Sequence, residues 1–261
     1  MAMTQETVLE ALQSHAAALA DALGSVEAHA PVGPDQKKTV LDLVNRITAD
    51  QRAWVGLLDD SPRAADAPEQ AETMPTATQA LRQASAELVQ ALRDSPLDRL
   101  VGAGEAAMSV ADITRSCVHQ LFLHRLDIER AGGDGVVLDA LWCADGVDAA
   151  LSAASRVPDD AAVEVEDRLV RVVASDVGVT WIAAMTHVTA RHDGRRHARQ
   201  GVRVAEHDPA DGSVRPAAIL TGSAQDLLCL AHGRPTLESP QRAGDARLLE
   251  EFVSVLTTHR P

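Results

Sequence analysis

Hydrophobic spacing changes its period once along this chain, at Val157-Pro158, and that change constrains the fold more than any other feature. Upstream, apolar residues recur at helical intervals. Val8, Leu9, Leu12, Ala16, Leu19, Ala20 and Leu23 form one stripe that stops at Gly24. After the turn-like APVGPD at 30–35, Val40, Leu43, Val44, Ile47, Trp54, Val55 and Leu58 form a second. The Pro-, Ala- and acid-rich stretch from Asp59 to Pro75 reads as a long loop. A third helix carries Leu81, Ala84, Leu88 and Leu92. A fourth, capped by Ser109, carries Ile113, Cys117, Leu121 and Ile128 and ends at Gly132-Gly133. A shorter helix over 139–155 completes a four- or five-helix bundle.

Downstream, β-branched runs take over. They are Val163–Val165, Leu169–Val173, VTWIAAMTHVTA and GVRVAEH, with Asp193-Gly194 between the last two as a hairpin signal. Ala217–Leu220 reads as a further strand. It leads into a helix, AQDLLCLAHG, with Ser223 and Asp226 three apart as a capping pair, and a last helix runs from Asp245 to Thr257. The expected class is α+β: a helical bundle over 1–156, then a smaller α+β domain with an antiparallel sheet over 157–261. No internal repeat is visible in the sequence.

Composition narrows the function. The net charge of −14 and an aromatic content of 2% argue against a nucleic-acid surface, which needs a basic stripe and stacking rings. Three cysteines, Cys117, Cys143 and Cys229, are widely spaced and form no CxxC, so neither a disulfide framework nor a cysteine zinc site is indicated. The N-terminus lacks a basic region followed by an apolar core, and no apolar run approaches the ~20 residues of a membrane span. These features predict a soluble, cytoplasmic protein with no nucleic-acid or membrane partner. They leave monomer and homodimer both open.

The stretch HQLFLHRLDIERAGG, 119–133, holds the most chemistry. On a helix Gln120, His124 and Asp127 share a face, whereas His119 lies about 140° from His124. Two histidines on one ion are therefore not expected, and the H-x-x-x-H pair of a helical zinc site is absent. His124 falls near the apolar stripe and reads as a buried, hydrogen-bonded histidine first, a ligand or acid–base group second. His119 reads as a surface or boundary residue. Asp127 suits either the far nitrogen of a histidine ring or an ion pair with Arg130.

That stretch, led in by DITRSCVHQLF, resembles the histidine-bearing helix of the mycothiol-dependent maleylpyruvate isomerase family of DinB-like proteins. TVLDLVNRI at 39–47 is similar to the family's second helix, and ILTGSAQDLLCLAHGRP at 219–235 to an element of its C-terminal domain. The resemblance implies a bundle that holds zinc or another divalent metal, a smaller α+β domain, and mycothiol as the thiol cofactor. Its implied activity is isomerisation or thiol S-transfer: a cation lowers a thiol's pKa and presents the thiolate at neutral pH. Carried over residue by residue, the family's three ligands fall on Arg46, Gln120 and His124. Arginine has no lone pair to give, and a carboxamide is a poor zinc ligand, so the implied metal site is degenerate.

Arg46 then has three readings: a salt bridge closing the former metal pocket, a guanidinium binding an anionic ligand, or a side chain reaching solvent. Arg234 matches an arginine that the resemblance places towards the substrate; it also suits satisfying carbonyls after the helix end at Gly233. His187, His192 and His197 flank a hairpin and read as exposed, and His15 and His29 have no recognisable partner. Cys117 reads as a buried, inert thiol. Two functions follow: an isomerase or S-transferase of the maleylpyruvate isomerase type with a lost or altered metal site, or a non-catalytic or metal-independent protein binding a small acidic ligand between its domains.

Overall fold

A computed structural model describes residues 4–33, 37–59, 70–102, 107–133, 135–157, 161–192, 195–205 and 215–258. The chain forms two compact units, Met1–Val136 and Val137–Pro261.

The first unit is built from two copies of one pattern. Helix α1 (Gln5–Ala22) leads through a two-stranded arm, β1 (Pro31–Val32) with β2 (Lys38–Thr39), into α2 (Val40–Leu58). Helix α3 (Met74–Asp94) leads through β3 (Leu100–Val101) with β4 (Met108–Ser109) into α4 (Val110–Ala131). Local chemistry matches as well. Thr39 caps α2, its hydroxyl accepting from the Asp42 amide at 3.1 Å while the Asp42 carboxylate accepts from the Thr39 amide at 3.0 Å. Ser109 caps α4 in the same way, accepting from the Asp112 amide at 3.1 Å and donating to the Asp112 carboxylate at 2.7 Å. The first two amides of each helix then pair back to the preceding loop, Val40 and Leu41 to the carbonyls of Ala30 and Ala28, Val110 and Ala111 to those of Arg99 and Leu97. TVLDL and SVADI are thus the same element twice. The repeat went unseen in the sequence because matching caps and pairings, not matching residues, define it.

Packing follows the repeat. α1 lies along α4 and α3 along α2, so the copies embrace each other. The core is aliphatic, with Leu9, Leu12, Leu19, Leu81, Leu88, Leu92, Ile113, Leu126 and Ile128 all but inaccessible and Phe122 the one aromatic among them. α4 ends where expected, with Gly133 at a φ of +87°, the left-handed conformation that favours glycine after a helix.

The second unit holds a five-stranded sheet in the order β7-β6-β5-β8-β9. Its strands are β5 (Ala162–Ala174), β6 (Val179–His192), β7 (Arg195–Val204), β8 (Ala218–Gly222) and β9 (Gln241–Gly244). The helices are α5 (Ala140–Ala154), α6 (Ala224–Ala231) and α7 (Ala246–Thr258). Three sequence expectations change here. The sheet is mixed and not antiparallel: β8 runs parallel to β5, because the chain crosses over after β7 and joins the far side of β5. The two β-branched runs are one strand, β5, with an irregularity between Val165 and Leu169. And α5, placed with the bundle by the change of texture at Val157-Pro158, packs on α6, β7 and α7 and counts with the second unit. The hairpin is present as an antiparallel ladder ending at His192 opposite Arg195; Asp193 and Gly194 themselves lie outside the described residues. Strand β9 was not anticipated, since its four residues are exposed and carry no alternation. No helix among the described residues is long and apolar enough to cross a membrane.

Candidate functional site

Between α2 and α4 lies a small cavity of about 20 Å³, room for one water-sized body. α2 contributes Ile47, Asp50, Gln51 and Trp54; α4 contributes Cys117, Gln120, Leu121 and His124. Each set has the spacing i, i+3, i+4, i+7 of a single helix face. The interval that separates Thr39 from Ser109 also separates Ile47 from Cys117, Asp50 from Gln120, Gln51 from Leu121 and Trp54 from His124. The cavity therefore sits where the two repeats face each other, and its walls are repeat-equivalent positions that have diverged.

The polar groups in this wall are held in different ways. Asp50 is half exposed, and its carboxylate stands 3.6 Å from Nε of Arg46, one turn earlier on α2. Gln51 is buried, and its side-chain carbonyl accepts from the Ser85 hydroxyl at 3.0 Å. Burial of the Cys117 thiol pushes its pKa up to about 12, so it is protonated at neutral pH and is not a nucleophile. His124 is half-buried and Gln120 stands one turn before it on the same wall.

The remaining sequence candidates fall as follows. Arg46 does not line the cavity; its side chain is 60% exposed and makes the ion pair with Asp50 at the rim, so the solvent-reaching orientation is the one present. His119 is 4% exposed, a correction to its surface reading: α4 is buried on more than one face, its buried set including Val118, Phe122 and Leu126 beside the expected stripe. Asp127 is buried on α4. His15 has a partner after all, its ring lying 4.0 Å from that of Phe122, centroid to centroid, at 50°. In the second unit Arg234 is partly exposed and follows Gly233, and its backbone amide satisfies the Cys229 carbonyl at 2.8 Å. His187 is half exposed and 3.1 Å from the Glu166 carboxylate; His197 is exposed, and the His192 side chain lies outside the described residues.

Sequence reasoning found Gln120 and His124 but missed Asp50, Gln51 and Trp54. The missed signal was periodicity: Ile47, Asp50, Gln51 and Trp54 are spaced as Cys117, Gln120, Leu121 and His124 are. Among the described residues, no three histidine, cysteine, aspartate or glutamate side chains come together as a metal-binding group.

No protein-family model matches the sequence, and no curated protein is similar to it in sequence. In three dimensions it is similar to two solved structures of the mycothiol-dependent maleylpyruvate isomerase. One, of a histidine-to-alanine mutant, superposes with a TM-score of 0.58 at 9% identity; the other gives 0.55 at 10%. Each match covers 94% of this chain and 95% of the other. At such identity the likeness concerns the fold, and it extends from end to end: the chain has the α+β fold of the maleylpyruvate isomerase.

Proposed function

We propose that this protein is a metal-independent relative of the mycothiol-dependent maleylpyruvate isomerase, binding a small acidic ligand without zinc-activated thiol chemistry. One observation carries the reading, the donor set in the cavity between α2 and α4. A catalytic zinc needs three good protein ligands, each deprotonated. The cavity wall supplies one imidazole from His124, one carboxylate already paired with a guanidinium, two carboxamides, and a thiol held in its protonated form. That set does not suit zinc. Arg46 puts a permanent cation at the rim, with donors left over for a carboxylate or phosphate. Arg234 is a second cationic candidate for an acidic ligand.

A second reading has the end-to-end structural likeness behind it: a mycothiol-dependent isomerase or S-transferase that keeps a metal. Metal analysis separates the two. The untagged protein is purified after zinc supplementation and measured by elemental mass spectrometry beside His124→Ala. The metal-independent reading expects no stoichiometric zinc in either. About one zinc per chain, lost in His124→Ala, would establish the thiol-enzyme reading instead. Calorimetric titration with maleate, and separately with mycothiol, then tests the ligand class: binding of maleate weakened by Arg46→Ala is the expected result.

A further inference from the structure

We infer that Arg46 and Gln120 are the two residues that exclude a divalent metal from the α2–α4 cavity, Arg46 by holding the one carboxylate in its wall and Gln120 by placing a neutral carboxamide where an acid would complete the donor set. The inference rests on the metal-independent reading proposed above and names the side chains responsible for it.

One small space of about 20 Å³ is lined by side chains from both helices. Three of them bear on a cation. His124 offers an imidazole, Gln120 lies four residues before it on the same face of α4, and Asp50 faces them from α2. Asp50 and Gln120 are equivalent positions of the two repeats, so the wall has an acid on one side of the repeat relation and an amide on the other. Gln120 has the shape of an acid but not its charge, and a divalent ion depends on that charge. The Asp50 carboxylate has the charge but shares it with Arg46 at 3.6 Å. A guanidinium stays protonated at every accessible pH, so an incoming metal would have to compete with it for the carboxylate and face its repulsion. The other polar wall groups do not compensate. Gln51 already accepts from Ser85, and Cys117 is a protonated thiol.

The test is a gain of function in the full chain. Wild type, Gln120→Glu, Arg46→Ala, the double variant, and the double variant carrying His124→Ala are incubated with zinc, gel-filtered and measured for metal. Cobalt loading, followed by its visible absorption, reports tetrahedral coordination independently of activity. The double variant is expected to retain about one metal per chain and to melt at a higher temperature when zinc is added; each single variant retains less, and His124→Ala abolishes retention. A double variant with wild-type circular dichroism that retains no metal overturns the inference while leaving the metal-independent reading intact. Stoichiometric zinc in wild type overturns that reading itself. Should Glu at position 120 prevent folding, Gln120→His with Arg46→Met makes the same measurement through an imidazole pair one helical turn apart, with the same two outcomes.

Discussion

Ser85 on α3 donates its hydroxyl hydrogen to the side-chain carbonyl of Gln51 on α2 at 3.0 Å, and both residues are more than nine-tenths buried. This bond ties α3 to a residue of the cavity wall on α2. It also decides which end of the Gln51 carboxamide is engaged: the oxygen is taken. Ser85→Ala would leave a buried carbonyl unsatisfied and is expected to cost about 1–3 kcal/mol. Ser85→Ala with Gln51→Leu should recover part of that loss, because the orphaned oxygen is gone. Urea unfolding of the four members of this cycle measures the coupling; strictly additive losses would show that the bond contributes nothing of its own.

The Asp42 carboxyl is held below the usual carboxylate range by the Thr39 backbone amide and hydroxyl. A lowered folded-state pKa means that its contribution to stability is present above the unfolded pKa of about 3.9 and is lost as pH falls through the folded value. The melting temperature of Asp42→Ala should therefore lie below wild type at pH 7, and the gap should narrow as pH drops below about 4. A gap that stays constant down to pH 2 would mean the cap acts only through its neutral hydrogen bonds. Thr39→Ala and Ser109→Ala, which remove the equivalent caps of the two repeats, should each cost roughly 0.5–2 kcal/mol.

Gly244 ends β9 at a φ of +84°, and a Cβ built there would stand 2.2 Å from the Ala217 carbonyl oxygen. Both the backbone conformation and the space require glycine. Gly244→Ala is expected to lose about 2 kcal/mol or more and to loosen the β8–β9 edge. Faster amide exchange at Ile219 and Thr221, compared with unchanged exchange in β6, is the specific signature; uniform loss across the sheet would place the damage elsewhere.

All three cysteines are buried and outside any disulfide, and burial raises the pKa of the Cys117 and Cys143 thiols. Native protein at pH 8 should show essentially no reaction with a colorimetric disulfide reagent, and three thiols should titrate once urea is added. A rapidly reacting thiol in the native state, removed by Cys117→Ala, would reopen a nucleophilic role for the cavity.

Much of the chain was legible without the structure. Caps and stops act within one turn, so Ser109 and Ser223 announce helix starts from sequence alone, and both do cap helices. Apolar spacing over several turns identified the seven helices and the long strands for the same reason: the period belongs to the element, not to its neighbours. The shared face of Gln120 and His124 was legible because four residues along one helix is itself a local relation, while their choice as a candidate ligand pair came from the family resemblance.

What tertiary structure decided is whatever depends on a partner distant in sequence. The burial of His119 depends on α4 being enclosed on more than one face. The allegiance of α5 depends on α6, β7 and α7, and the parallel pairing of β8 depends on a strand some fifty residues earlier in the chain. The repeat that frames the cavity emerged the same way, from two arms and two caps that superimpose in function while their residues differ. Local propensity determined the pieces of this protein; long-range packing determined which side chains face one another across the cavity.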